Sequence, residues 1–261
     1  MNIPTKIMEQ IGGESFEMDT IGLSDSSVLL FEDKVLKIQP RSHEAGCELQ
    51  MMRWLRGKLP VPEILAYEEA DGKSYLLMSR VRGQMSCTPC FLENPAHLAR
   101  LLAKALKRLW RVDIGDCPVS AALETKLAQA EYRVAHQMVD VENVEPDTFG
   151  ENGFENPEAL LSWLKENRPE EEKVLSHGDF CLPNVIFQGD TLSGFIDLGR
   201  MGVADKWCDI ALCYRSLCHN FSGKYNGVSY PGFRPEMLFA ELGLEPDWQK
   251  IRYYILLDEL F

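Results

Sequence analysis

The stretch LSHGDFCLPNVIFQGDTLSGFIDLG constrains the chain more than any other. Asp179 is followed five positions later by Asn184, which opens the apolar run NVIF (184–187). Gly189-Asp190 then supplies a turn, and GFID (194–197) ends on Asp197. The pattern reads as a β-hairpin set between an amide and a carboxylate. Asp-x-x-x-x-Asn is the spacing of a phosphoryl-transfer loop, in which the Asp meets an acceptor hydroxyl and the Asn holds magnesium. A later Asp that leaves a strand for a glycine-containing turn suits a second metal ligand. Magnesium is a hard ion that takes oxygen donors, and a transferring phosphoryl group is stabilised mainly by charge and position. Any one of these residues alone reads as a turn former. All three, with a hairpin between Asn184 and Asp197, point to phosphoryl transfer. His177 reads as a loop-bracing side chain, because Asp179 already fills the role of base.

Such chemistry also needs a phosphate-anchoring Lys on a strand and a Glu on the next helix to hold it. Lys37 in VLKIQ and Glu48 in EAGCELQMMRWLRGKLP occur in that order. The glycine-rich GxGxxG loop is missing. IGLSDSSVLL stands in its place, so Ser24, Ser26 and Ser27 are the expected cover for the phosphates.

Along the chain, VLLF (28–31) and VLKI (35–38) flank a short polar link, and YLLMS (75–79) forms a further strand. A helix with Leu49, Met52 and Leu55 on one side lies between them, closed by Gly57 and Pro60. From Asn94-Pro95, an N-cap followed by proline, the character turns helical. Leu98, Leu101, Leu102, Ala105, Leu106 and Leu109 make one apolar stripe. Further helices are expected over 121–139, from Asn156-Pro157 onward, and over 246–261. The expected architecture is α+β, a small β-rich N-lobe over 1–80 and a larger, mostly helical C-lobe over 81–261, with a hinge at 79–83.

A net charge of −13 argues against a nucleic-acid partner. Between Asp140 and Glu172 the chain carries eleven acidic and two basic residues, which alone reads as a solvated face. The ending YYILLDELF adds Asp258, Glu259 and the carboxylate of Phe261 to the last turn of a helix, where the carbonyl dipoles favour Lys or Arg. Two acidic clusters suit a cationic ligand. No run approaches the roughly eighteen apolar residues of a membrane span, and the N-terminus lacks a signal pattern; the expectation is a cytoplasmic protein with no membrane partner, a monomer or weak dimer. The eight cysteines are expected to be reduced, and Cys87-x-x-Cys90 lacks a second pair with metal-ligand spacing.

SHGDxxxxN, FIDLGRxGxADKWxDIAxCxRS and the ending DELF closely resemble the aminoglycoside 3′-phosphotransferases, bacterial enzymes that phosphorylate kanamycin- and neomycin-like antibiotics; GKLPVP and YLLMS do so as well. The resemblance runs from about Ser24 to the C-terminus. It implies a bilobal, protein-kinase-like fold, ATP (with GTP as the alternative) and Mg²⁺, and antibiotic resistance. By position, Lys37 binds the α/β-phosphates, Glu48 orients it, and the backbone of Ser79 and Val81 meets adenine. Asp179 acts on the sugar hydroxyl, while Asn184 and Asp197 hold magnesium. Glu142, Glu145, Asp258, Glu259 and the Phe261 carboxylate meet drug amines, with Arg200 in the same pocket. Val35 stands where close relatives stack an aromatic on adenine. HNFSGKYNGVSYPGFRPEM, with Lys224 and Arg234, replaces an acidic drug-binding stretch. Two other readings follow the same residues: a kinase of another amine-bearing or sugar acceptor, and a non-catalytic binder of cationic compounds.

Overall fold

Hydrophobic alternation and capping residues lay out the elements in chain order. A computed structural model of the protein describes residues 3–18, 26–225 and 227–261. The chain starts with α1 (Thr5–Ile11) and β1 (Glu17–Met18), then β2 (Ser27–Leu30) and β3 (Lys34–Pro40). α2 (His43–Leu55), β4 (Ile64–Ala70), β5 (Lys73–Ser79) and β6 (Gln84–Met85) follow. A helical stretch comes next: α3 (Pro89–Leu92), α4 (Pro95–Trp110), α5 (Leu123–Ala135) and α6 (Pro157–Glu166). β7 (Lys173–Ser176) leads through a 3₁₀ turn (Leu182–Asn184) to β8 (Val185–Gln188) and β9 (Thr191–Phe195). β10 (Gly202–Asp205), α7 (Lys206–Ser222), α8 (Glu236–Leu242) and α9 (Trp248–Asp258) complete the chain.

Two compact units emerge. The first comprises 1–86 and 183–201, the second 87–182 and 202–261. The division at 80/81 read from the sequence follows order along the chain. Grouping by contact carries the first unit on to Ser86 and gives it the β8–β9 hairpin. The physical cause is pairing: β6 adds antiparallel to β8, with Met85 opposite Ile186. A Cβ at Gly194 would stand 2.9 Å from the Val81 side chain, so only glycine allows this close approach.

In the first unit the sheet runs β1-β2-β3-β5-β4, antiparallel throughout. Its core gathers Leu29, Leu36, Ile38 and Leu77 from the strands with Ile7 and Ile11 from α1. Each such side chain, fully withdrawn from water, contributes about 1.5–3 kcal/mol before entropy is counted. β3 alternates, which leaves Lys37 on the face opposite to Leu36 and Ile38. α2 is capped by Ser42, whose hydroxyl accepts from the Ala45 N–H at 3.1 Å.

The second unit packs helices on the short β7–β10 pair, in which Ser176 faces Gly202. The α4 stripe is wholly buried, and this helix packs against α8. Asn94 and Asn156 cap α4 and α6 at 3.2 and 2.8 Å, as their Asn-Pro sequences require. α5 ends at Ala135 rather than Val139 because Gln137 turns left-handed, at φ 54°. β4, β7 and β10 carry too few alternating residues to stand out in the sequence. Among the described residues no helix is long and apolar enough to cross a membrane, and no disulfide joins the cysteines. Burial pushes the thiol of Cys213, a core residue, well up.

Candidate active site

In the first unit, β3 and α2 meet the end of the β8–β9 hairpin through one ammonium. Lys37 Nζ donates to Glu48 Oε2 at 2.9 Å and to Asp197 Oδ1 at 2.8 Å. Glu48, one turn after Glu44 on the α2 face turned to the sheet, is almost entirely buried. Its carboxylate also accepts from Gln39 Nε2 at 3.4 Å and from the Leu198 N–H at 3.4 Å. Burial alone would lower the Lys37 pKa, but the charges of Glu48 and Asp197 overcome it and hold the ammonium above its ordinary range. Lys37 is therefore a fixed cation.

Asp197 occupies a left-handed backbone conformation, φ 59°, just after β9. Asp tolerates this region better than most residues, and the strain is of order 1 kcal/mol. It turns the carboxylate out of the strand line: the Asp197 side chain is 51% exposed, whereas that of Lys37 is 12%. Asn184 closes the 3₁₀ turn, and its carbonyl accepts from the Ile196 N–H at 3.1 Å, which ties it to the strand that delivers Asp197. An amide oxygen and a carboxylate are hard donors of the kind magnesium takes alongside phosphate oxygens. Among the described residues no three His, Cys, Asp or Glu side chains converge as a cage. The donor chemistry of Asn184 and Asp197, an amide oxygen and a carboxylate, is of the type magnesium takes.

Ser79 ends β5 with its N–H donating to Glu63 O at 2.9 Å and its hydroxyl accepting from the Glu63 N–H at 2.8 Å. Val81 follows it and packs over Gly194. Ser24 lies outside the described residues; Ser27 opens β2. Arg200, expected beside the acceptor acids, belongs to the first unit, where its Nε donates to Glu44 Oε1 at 3.2 Å.

In the second unit, Asp179 sits half-buried in the loop after β7. The loop is held by Asp209 of α7, a residue the sequence reading passed over. Fully buried, Asp209 accepts from the Ser176 hydroxyl at 2.9 Å, the His177 N–H at 2.8 Å and the Gly178 N–H at 2.9 Å. Burial raises the Asp209 carboxyl, offset in part by His177 and these hydrogen bonds. The signal available was ADKWCDIA itself, where an Asp falls on the inward face of a helix. His177 is buried and meets Phe180 edge-on at 6.1 Å, in line with a bracing role.

The acidic ending is not unpaired. Arg215, on α7, holds Asp258 through Nη2 and donates to Glu259 Oε1 at 3.1 Å through Nη1. Arg133 Nε adds a bond to the Leu260 carbonyl at 2.7 Å, and Lys126 lies over the Phe261 ring at 4.7 Å. The compensating bases expected at a helix C-terminus thus come from other helices. Burial and the neighbouring Asp258 charge leave Glu259 pushed up to about 7, against the pull of Arg215. Glu145 joins the group: its N–H donates to Glu259 Oε2 at 3.3 Å, and its carboxylate meets His219 and Lys224. The structure does not bring Glu142 into this group: it is exposed, and its N–H donates to Asp140 Oδ1 at 2.9 Å in a local turn.

The phosphotransferase enzyme family model matches residues 20–254. An aminoglycoside 3′-phosphotransferase of Enterococcus faecalis is 40% identical over 256 residues, covering 93% of this chain and 92% of its own. Among solved structures, an aminoglycoside 3′-phosphotransferase of type VIII superposes with TM-score 0.77 at 26% identity, covering 98% and 97%. An aminoglycoside phosphotransferase of Streptomyces rimosus, in complex with ADP and streptomycin, does so with TM-score 0.79 at 25% identity, covering 97% and 95%. The fold is the kinase-like fold of these enzymes, and the chain belongs to the phosphotransferase enzyme family, among the aminoglycoside 3′-phosphotransferases.

Proposed function

We propose that the chain transfers the γ-phosphoryl group of ATP to a hydroxyl, of the 3′ class, on an aminoglycoside antibiotic and so confers resistance. The observation that carries the transfer chemistry is the Lys37 ammonium bridging Glu48 and Asp197 at 2.9 and 2.8 Å, with Asn184 tied to the same hairpin. The names and lengths of the relatives support the acceptor class, and the Streptomyces rimosus enzyme with ADP and streptomycin supports the donor.

In this reading Glu48 orients Lys37, which meets the α- and β-phosphates, and the Ser79–Val81 backbone receives the adenine. Ser24, Ser26 and Ser27 cover the phosphates in place of a glycine-rich loop. Asn184 and Asp197 hold magnesium, which when bound offsets the charge on the phosphate oxygens. Asp179 takes or orients the proton of the acceptor hydroxyl, whose oxygen forms the new bond to phosphorus as ADP leaves. Glu142, Glu145, Asp258, Glu259 and the Phe261 carboxylate attract the amines of the acceptor, and Arg200 is assigned to acceptor binding as well. Use of ATP fits a cytoplasmic enzyme, acting as a monomer or weak dimer without nucleic acid or membrane.

The test is ADP release with kanamycin, ATP and Mg²⁺ against a blank without drug. Drug-dependent turnover is expected. A trace no faster than the blank, across several aminoglycosides and with GTP also tried, overturns the acceptor class. One observation favours a second reading, a kinase of less cationic sugars: the acids of the acceptor site already carry internal partners, Arg215 and Lys224.

A further inference from the structure

Glu145 carries its own counter-cation. Lys224 Nζ stands 3.1 Å from Glu145 Oε1, and His219 Nε2 stands 2.8 Å from the same oxygen. The ammonium and that ring nitrogen are 3.2 Å apart, and His219 Nδ1 is 2.9 Å from the Tyr225 hydroxyl. Burial would raise the Glu145 carboxyl, but the Lys224 hydrogen bond and the His219 and Lys224 charges hold it below its usual range. His219 is lowered, by burial first and by Lys224 against the pull of Glu145. Lys224 supplies the ammonium of the cluster.

Its mounting is suited to release. Lys224 follows Gly223, the left-handed residue that closes α7, and its N–H returns to the His219 carbonyl at 3.0 Å. The backbone is fixed while the side chain stays 43% exposed, against 20% for Glu145. A partly exposed ion pair of this kind is weak and screened by salt. Arg215 differs: its side chain is 16% exposed and grips two carboxylates, so it is a built-in part of the unit.

We infer that Lys224 is a specificity-determining residue: an ammonium of the protein seated on the carboxylate that an acceptor amine would use, which the acceptor must displace. The inference rests on the acceptor site proposed above. An amine that reaches Glu145 exchanges one ion pair for another and gains little. An acceptor with no amine at that position loses little. The chain therefore discriminates weakly at this subsite and takes acceptors with fewer amines at a smaller relative penalty.

Two substitutions in the full chain test this, Lys224→Gln and Lys224→Arg, with Lys165→Gln as a control that removes a positive charge paired elsewhere, with Glu131 at 2.8 Å. In Lys224→Gln the KM for kanamycin is expected to fall about two- to fivefold, the scale of a partly exposed ion pair. kcat and the KM for ATP stay within about twofold, and Lys224→Arg behaves as the native chain. An unchanged or raised kanamycin KM in Lys224→Gln, or an equal fall in Lys165→Gln, overturns the inference. Calorimetric titration with spermidine, a polyamine without a sugar hydroxyl, reads the same competition without turnover. Tighter spermidine binding in Lys224→Gln alone upholds the inference even where no variant phosphorylates kanamycin, and that combination refutes only the acceptor class. Equal spermidine binding in all four proteins overturns the competition itself.

Discussion

Lys37 Nζ lies 2.8 Å from Asp197 Oδ1, although 160 residues separate them. The contact exists because β3 and the β8–β9 hairpin belong to the same unit, and because the left-handed turn at Asp197 sends its carboxylate toward the strand. A single ammonium there holds both the helix carboxylate and the candidate metal ligand.

Replacing Lys37 with Met should therefore do more than remove a phosphate contact. It leaves the Glu48 carboxylate buried without its cation, a loss of about 3–5 kcal/mol at most. Chemical denaturation of Lys37→Met and of the double variant Lys37→Met/Glu48→Gln separates the two effects. The double variant should recover much of the stability and none of the activity. Equal stability of the two variants would mean that Glu48 is relieved in some other way.

Asp179→Ala is expected to lower kcat by about 10²–10⁴, the range for loss of a positioned proton acceptor, with ATP affinity within about twofold. Near-native turnover in that variant would remove Asp179 from the proposed role.

Asp209→Ala removes the acceptor for three donors around residues 176–178. Each buried donor left without a partner costs about 1–3 kcal/mol, so the unfolding midpoint should drop clearly. Asp209→Asn keeps the volume and loses part of the accepting capacity. Its expected signature is a reduced kcat with ATP affinity retained, because the loop that carries Asp179 loosens. A fall in ATP affinity equal to the fall in kcat would indicate a more general collapse.

Glu259 supplies a pH dependence. Its folded pKa, about 7, lies above the ordinary value of 4.5. Between these values the folded chain holds a proton that the unfolded chain has released, so its contribution to stability declines as pH rises from about 4.5 to 7. Glu259→Gln should flatten that decline, by up to about 3 kcal/mol for a shift of this size. The measurement is the urea midpoint of both proteins at pH 5 and pH 8. Acceptor binding carries the opposite sign: protonated Glu259 attracts amines less, so the kanamycin KM should rise as pH falls below 7, and less so in Glu259→Gln. Removing Glu259 to Phe261 outright is a poorer probe, because Leu260 is fully buried and its loss destabilises the chain as well.

Local chemistry made much of the molecule legible. Asn94-Pro95 and Asn156-Pro157 announced α4 and α6 because a cap is a contact over three residues. The order of Lys37 on a strand and Glu48 on the next helix, and the spacing of Asp179, Asn184 and Asp197, carried the proposed phosphoryl-transfer chemistry in the sequence itself. What the sequence could not display were pairings across long chain separations. Asp209 looks like any acid on a helix until the β7 loop folds over it, and β7 and β10 are strands only because they pair with each other. Asp258 and Glu259 look like acids at the wrong end of a helix until Arg215 arrives from α7 and Arg133 from α5. Sequence alone determined which groups the proposed site contains, because those groups are fixed by covalent order and local geometry. Only the tertiary structure decided which of them stand near a counter-charge, because ion pairing depends on distance in space, and distance in space is set by how the elements pack.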